Sequence, residues 1–134
     1  MDKALLTGVQ KLLNAKVYPP THKYSIADLT PHGALKERVR YLLELCPNFF
    51  RAHRFLDVGA SKGFFSLTAA QQSKEVVAID PDAESLAIWE PVCPSNVNQV
   101  VSTFGQLSVD VDGTYDMIWM GNGHHYAARE DAFE

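Results

Sequence analysis

The sequence predicts an α/β fold: a doubly wound, mainly parallel sheet with helices on both faces, preceded by two N-terminal helices. Three observations carry this. From Arg54 onward the short apolar runs FLDV, EVVAID, NQVVST and YDMIWM alternate with helical segments, and such runs mean strands buried on both faces and joined by right-handed crossovers. The first run closes on Asp57-Val58-Gly59 and leads to Gly63, which reads as a strand-to-helix turn. Before Arg54 the apolar spacing is helical instead.

In chain order, Leu5, Leu6, Val9, Leu12 and Leu13 recur at helical spacing after Asp2, a candidate N-cap, and predict a helix from residue 2 to about 16. YPPTHKYSIADLT, from Tyr18 to Thr30, holds two prolines and reads as a loop packed by its aromatic side chains and Ile26. Thr30 is expected to cap a second helix with Pro31 at its first position, running through Leu35, Val39, Leu42, Leu43 and Leu45 until Pro47 stops it. The four strands are FLDV (55–58), EVVAID (75–80), NQVVST (98–103) and YDMIWM (115–120), with helices at about 63–72 and 83–90 and a last one beginning near Ala127. The domain reading is an N-terminal helical segment, 1–53, acting as lid or cover, and a ligand-binding core, 54–134. Trp89 and Trp119 fall on apolar faces and are read as core.

Composition excludes several classes. The 134 residues are one domain's worth; 46% are hydrophobic and 21% charged, as in ordinary globular chains. A net charge of −4 with scattered basic residues argues against DNA and disfavours RNA. Cys46 and Cys93 stand alone, so neither a zinc site nor a disulfide framework is expected, and His124-His125 lacks a third ligand at a recognisable spacing. The start MDKALLTGVQKLL is too charged for a signal peptide, and no apolar run approaches ~18 residues. The reading is of a cytoplasmic, reduced protein with no membrane span.

In a doubly wound sheet, ligands bind at the carboxyl ends of the strands where strand order reverses. Gly59 permits a tight turn and a close ligand; Gly63 opens the next helix with no side chain in the way, and that helix's N–H groups favour an anion. Asp57 suits a cation or hydroxyl rather than a phosphate. Asp80 closes the second strand 17 residues beyond Gly63, where an acid commonly bonds ribose hydroxyls. A third glycine, needed for a dinucleotide fingerprint, is absent, which places an NAD-dependent oxidoreductase last. A ribose and a zwitterionic amino-acid tail are the two ends of S-adenosylmethionine.

On these residues the chain resembles the class I S-adenosylmethionine-dependent methyltransferases of Rossmann-like fold. FLDVGASKGFFSLTAA looks like their first motif, EVVAIDPD like their second, and YDMIWMGNGHHY like the strand and loop beside the transferred methyl; DVGASKGFFSLTAA is also similar to FkbM-type small-molecule methyltransferases. The resemblance covers Phe55 to about Tyr126. It implies that Asp57, Gly59, Ala60, Ser61, Lys62, Gly63, Asp80, Pro81, Ser102, Phe104 and Asn122 bind the cofactor. It further implies that His124 or His125 faces the methyl as a general base, and that the acceptor is a small molecule. Ser102-Thr103 stands where an acidic adenine contact is often found, and the family's sheet is larger than four strands.

Each assignment has a plainer alternative. Asp80 could cap the helix after Pro81, Lys62 could be a solvated surface lysine rather than a contact for the methionine carboxylate, and the histidines could pack or cap. Tyr18, His22, Tyr24 and His32 either line an acceptor pocket or hold a loop down. The rival readings are a non-catalytic cofactor-binding or scaffold protein and an RNA methyltransferase. With strands ordered 3-2-1-4, Met117 to Met120 form an apolar edge. That edge is expected to be covered by a second copy, by a further C-terminal part of a longer protein, or by the N-terminal helix.

Overall fold

A computed structural model describes residues 2–15, 23–106 and 113–121, the side chain of Phe104 excepted. α1 (Lys3–Ala15) begins where Asp2 Oδ1 accepts the Ala4 N–H at 2.8 Å, the expected N-cap. It buries Val9 and Leu13, and leaves Leu5 and Leu12 exposed.

The segment read as a loop is a small hairpin. β1 (Tyr24–Ser25) and β2 (Thr30–Pro31) pair antiparallel. Gln10 of α1 holds it through both ends of its amide, donating to Tyr24 O at 3.1 Å and accepting from Ile26 N–H at 2.7 Å. Tyr24 and Ile26 are buried, as expected. The expected start of the second helix is corrected: α2 spans Gly33–Leu45 with His32 at its N-cap, so Thr30 and Pro31 are not its first residues. The reason is tertiary, because the hairpin claims them and Asp28 Oδ1 takes the Thr30 N–H.

β3 (Arg54–Val58), β4 (Glu75–Asp80), β5 (Val97–Val101) and β6 (Met117–Trp119) form one sheet in the order β5-β4-β3-β6, all neighbours parallel. This is the expected 3-2-1-4 order, and it puts the reversal at β3 and β6. β6 is shorter than the run that predicted it. Asp116 bends its carboxylate onto the N–H groups of His53 and Arg54 at 2.8 and 2.6 Å, and Tyr115 lies against the Arg54 guanidinium.

Side chains alternate between two apolar clusters, as a parallel sheet requires. Phe55, Val76 and Ala78 face one side and share it with α3 (Phe64–Ala70), α4 (Ala83–Trp89) and the N-terminal Val9, Leu13, Leu35 and Val39. Leu56, Val58, Val77 and Ile79 face the other. The N-terminal segment therefore shares a core with the sheet. α1 packs on α4 and on the 3-10 turn Glu90–Val92, while α4 lies on β4 and β5; the expectation that α1 covers the β6 edge is not met. That edge exposes Ile118. Among the described residues no helix is long and apolar enough to cross a membrane, and no group of three His, Cys, Asp or Glu could hold a metal.

Candidate functional site

The turn from Gly59 to Gly63 is fastened from every side. Gly59 and Ala60 both donate their N–H to Ile79 O at 2.9 Å, which ties the turn to the end of β4. Ser61 N–H donates to Asp80 Oδ2 at 2.8 Å, and Ser61 O accepts the Trp89 indole N–H at 3.0 Å. Lys62 O accepts the Tyr24 hydroxyl. Gly59 and Gly63 have φ of 77° and 87°, which glycine tolerates without strain. Ser61, at φ 49°, does so without that freedom. A Cβ on Gly63 would lie 2.5 Å from the Trp89 ring, so the indole packed behind the turn by itself excludes a side chain here.

Two acids close adjacent strands here in different settings. Asp57 is buried and its Oδ2 accepts one hydrogen bond, from Ser66 Oγ at 2.7 Å. Burial, helped by the nearby Asp80 and opposed by Ser66, pushes its carboxyl up to about 7. Asp80 accepts two main-chain donors, Ser61 N–H on Oδ2 and Asp82 N–H on Oδ1, both at 2.8 Å. Burial raises its carboxyl as well, against those two bonds. The helix after Pro81 is capped by Asp82, which accepts from Glu84 N–H and Ser85 Oγ, so Asp80 does not serve as that cap.

A small cleft opens at the carboxyl ends of β3 and β6. Of the residues singled out by sequence, it brings together Asp57, Gly59, Ala60, Lys62 and Gly63. Asp80, Pro81 and Ser102 stand outside that lining. Ser102 follows β5 and donates its N–H to Asp80 O at 3.1 Å; Pro81 is exposed; Phe104 begins the 3-10 turn Phe104–Gln106. Asn122, His124 and His125 lie outside the described residues, as do Tyr18 and His22. His32 is exposed and shares a hydrogen bond with Ser25 Oγ at 2.7 Å. Lys62 is no surface lysine: it is 4% exposed, and its ammonium donates to Leu13 O at 2.6 Å, near the end of α1.

The remaining lining comes from Leu35 and Arg38 of α2, Phe64 and Phe65 of α3, and Trp119 and Gly121. Sequence reasoning missed Leu35, Arg38, Phe64, Phe65 and Trp119 as site residues, whereas Gly121 belongs to the loop it had placed beside the transferred methyl. Trp119, read as core, is half-buried and meets the rings of Phe49 and Phe65 at 5.3 and 5.1 Å. Its one sequence signal was its place at the end of the fourth strand, beside Gly121.

The residues present fit a ligand with a cationic group and hydroxyls. Asp57 meets no cation among the described residues, and Ser61 Oγ is buried in the turn with no partner. Each is a polar atom left for something else to satisfy.

A family model described as methyltransferase domain matches residues 55–134, more than half of the chain. A search of curated proteins gave no match. Solved structures give the same fold. The N-methyltransferase NodS from Bradyrhizobium japonicum WM9 is 21% identical over 63% of this chain and 47% of its own, with a TM-score of 0.53. The N-terminal domain of EvdMO1, solved with S-adenosylhomocysteine (SAH) and D-fucose, is 22% identical over 88% of this chain and 52% of its own, with a TM-score of 0.57. The putative RNA methyltransferase PH1948 from Pyrococcus horikoshii is 18% identical over 99% of this chain and 69% of its own, with a TM-score of 0.54. The chain thus spans about half the length of the first two. The match is to the general methyltransferase domain and does not reach the FkbM-type branch. It begins at Phe55, in the strand β3 that leads into the glycine turn, and with the parallel order β5-β4-β3-β6 it makes the chain a member of the class I S-adenosylmethionine-dependent methyltransferases.

Proposed function

We propose that the cleft binds S-adenosylmethionine and that the protein transfers its methyl group to a small-molecule acceptor. The observation that carries this is the pairing of Asp57, an acid lining the cleft without a cation, with the glycine turn fastened beside it. Asp57 takes the ammonium of the amino-acid end. Asp80 holds the turn through Ser61, and its oxygens keep further acceptor positions for ribose hydroxyls. Pro81, Ser102 and Phe104 flank the adenine, with Asn122, Ala60 and Ser61 completing the cofactor contacts. The sulfonium of the bound cofactor supplies an electrophilic methyl; the chain's part is alignment, with His124 or His125 taking a proton from a hydroxyl acceptor.

A net charge of −4 without a basic stripe favours a small acceptor over RNA. The free Cys46 and Cys93 favour a cytoplasmic setting. The share of the solved relatives that is matched, about half, favours a second reading, a cofactor-binding unit that works only with further chain or a second copy along the β6 edge.

Calorimetry tests the first reading: S-adenosylmethionine and SAH are each expected to bind. No heat from either, beside clear binding of NAD, overturns it. Single His124→Ala and His125→Ala variants, assayed with labelled donor, are expected to show one slowed by ~10²–10⁴-fold at unchanged cofactor affinity. Full turnover in both assigns catalysis to alignment alone.

A further inference from the structure

We propose that Arg38 binds the carboxylate of the cofactor's amino-acid end, opposite in charge to Asp57, which takes its ammonium; this rests on the reading above that the cleft holds S-adenosylmethionine. Sequence spacing had offered Lys62 for that carboxylate. The structure commits the Lys62 ammonium to Leu13 O, 49 residues earlier in the chain. Among the described residues the other cation in the cleft lining is Arg38.

Arg38 sits in α2 between Leu35 and Val39, both buried, which hold this stretch of the helix against the core. It is itself half-buried, and no hydrogen bond or ion pair engages its guanidinium among the described residues. Its neighbour Arg40, by contrast, is taken by Glu37 and Glu44. A guanidinium stays charged at every accessible pH, and with no acidic partner among the described residues it is available to an anion in the cleft. Asp57 lines the same cleft and no ion pair joins the two. One unpaired anion and one unpaired cation in a single small cleft match a zwitterion. The helix end that might otherwise hold the carboxylate belongs to α3, which has only seven residues. Arg38 can offer two parallel N–H donors to a carboxylate.

The test compares two probes by calorimetry. SAH carries the amino-acid end; methylthioadenosine lacks it. Wild type is expected to bind SAH more tightly than methylthioadenosine. Arg38→Ala is expected to weaken SAH about 10- to 100-fold, the range of a charge-assisted hydrogen-bonded pair, and to leave methylthioadenosine within about twofold. Arg38→Lys, which keeps charge and loses the fork, is expected to fall between. Should Arg38→Ala fail to fold, Arg38→Gln carries the same comparison. Unchanged SAH affinity in the variant overturns the assignment, as does equal weakening of both probes, which would make Arg38 a structural residue. Wild type binding neither probe overturns the underlying cofactor reading as well, so the two failures are distinguishable.

Discussion

The ends of β3 and β4 carry one aspartate each, side by side in the sheet, and the two are used differently. Asp80 accepts one main-chain donor on each oxygen, Ser61 N–H and Asp82 N–H, and so welds the glycine turn to the start of the next helix segment. Asp57 accepts a single hydroxyl, from Ser66, and lines the cleft. The difference teaches that an acid at a strand end is a ligand group only to the extent that its own backbone has not already claimed it. By that measure Asp80 is first a structural residue, and Asp57 is the one held in reserve.

Breaking the weld should have the largest effect. Asp80→Ala leaves the buried Ser61 N–H unsatisfied and takes the acceptor from the part-buried Asp82 N–H, so the fold should lose about 1–4 kcal/mol. Urea denaturation at neutral pH measures it. A loss under about 1 kcal/mol would remove the distinction between the two acids.

Asp57→Asn should act the other way on stability. The folded carboxyl, pushed up to about 7, lies above the usual 3.8. The native state therefore holds its proton more tightly than the unfolded chain. Asp57 costs nothing below about pH 4, and its penalty grows as pH rises to about 7 and then stays. The Asn variant keeps an acceptor for Ser66 and should be more stable than wild type at pH 8 by roughly 1–3 kcal/mol, with the gain vanishing near pH 4. Denaturation across that range checks the slope.

The same proton governs the ligand. Between pH 7.5 and 5.5 the carboxylate needed for an ammonium is progressively lost, so SAH affinity should fall roughly 10- to 30-fold in wild type. Asp57→Asn should bind weakly and without that dependence. The smallest effect is expected at Ser61. Glycine there would relieve the left-handed φ of 49° while keeping the N–H to Asp80, and should stabilise by a few tenths to about 1 kcal/mol, read as a small rise in melting temperature.

What the sequence by itself determined is local or periodic. Apolar runs gave the four strands, Asp57-Val58-Gly59 and Gly63 gave the turn, and the position of Asp80 gave the second acid. These follow from short-range rules: side-chain alternation, and the backbone freedom of glycine at positive φ. Tertiary structure alone decided the partners. Trp89, 26 residues beyond Gly63, is what makes a side chain there impossible. Lys62 reached Leu13 across 49 residues, the hairpin drew Thr30 and Pro31 out of the second helix, and α2 delivered Arg38 to the cleft. Contacts between residues so far apart leave no period and no motif along the chain. They come into being when burial of the apolar faces brings α1, α2 and the sheet together, and only then is it settled which polar groups are spent inside the fold and which remain for a ligand.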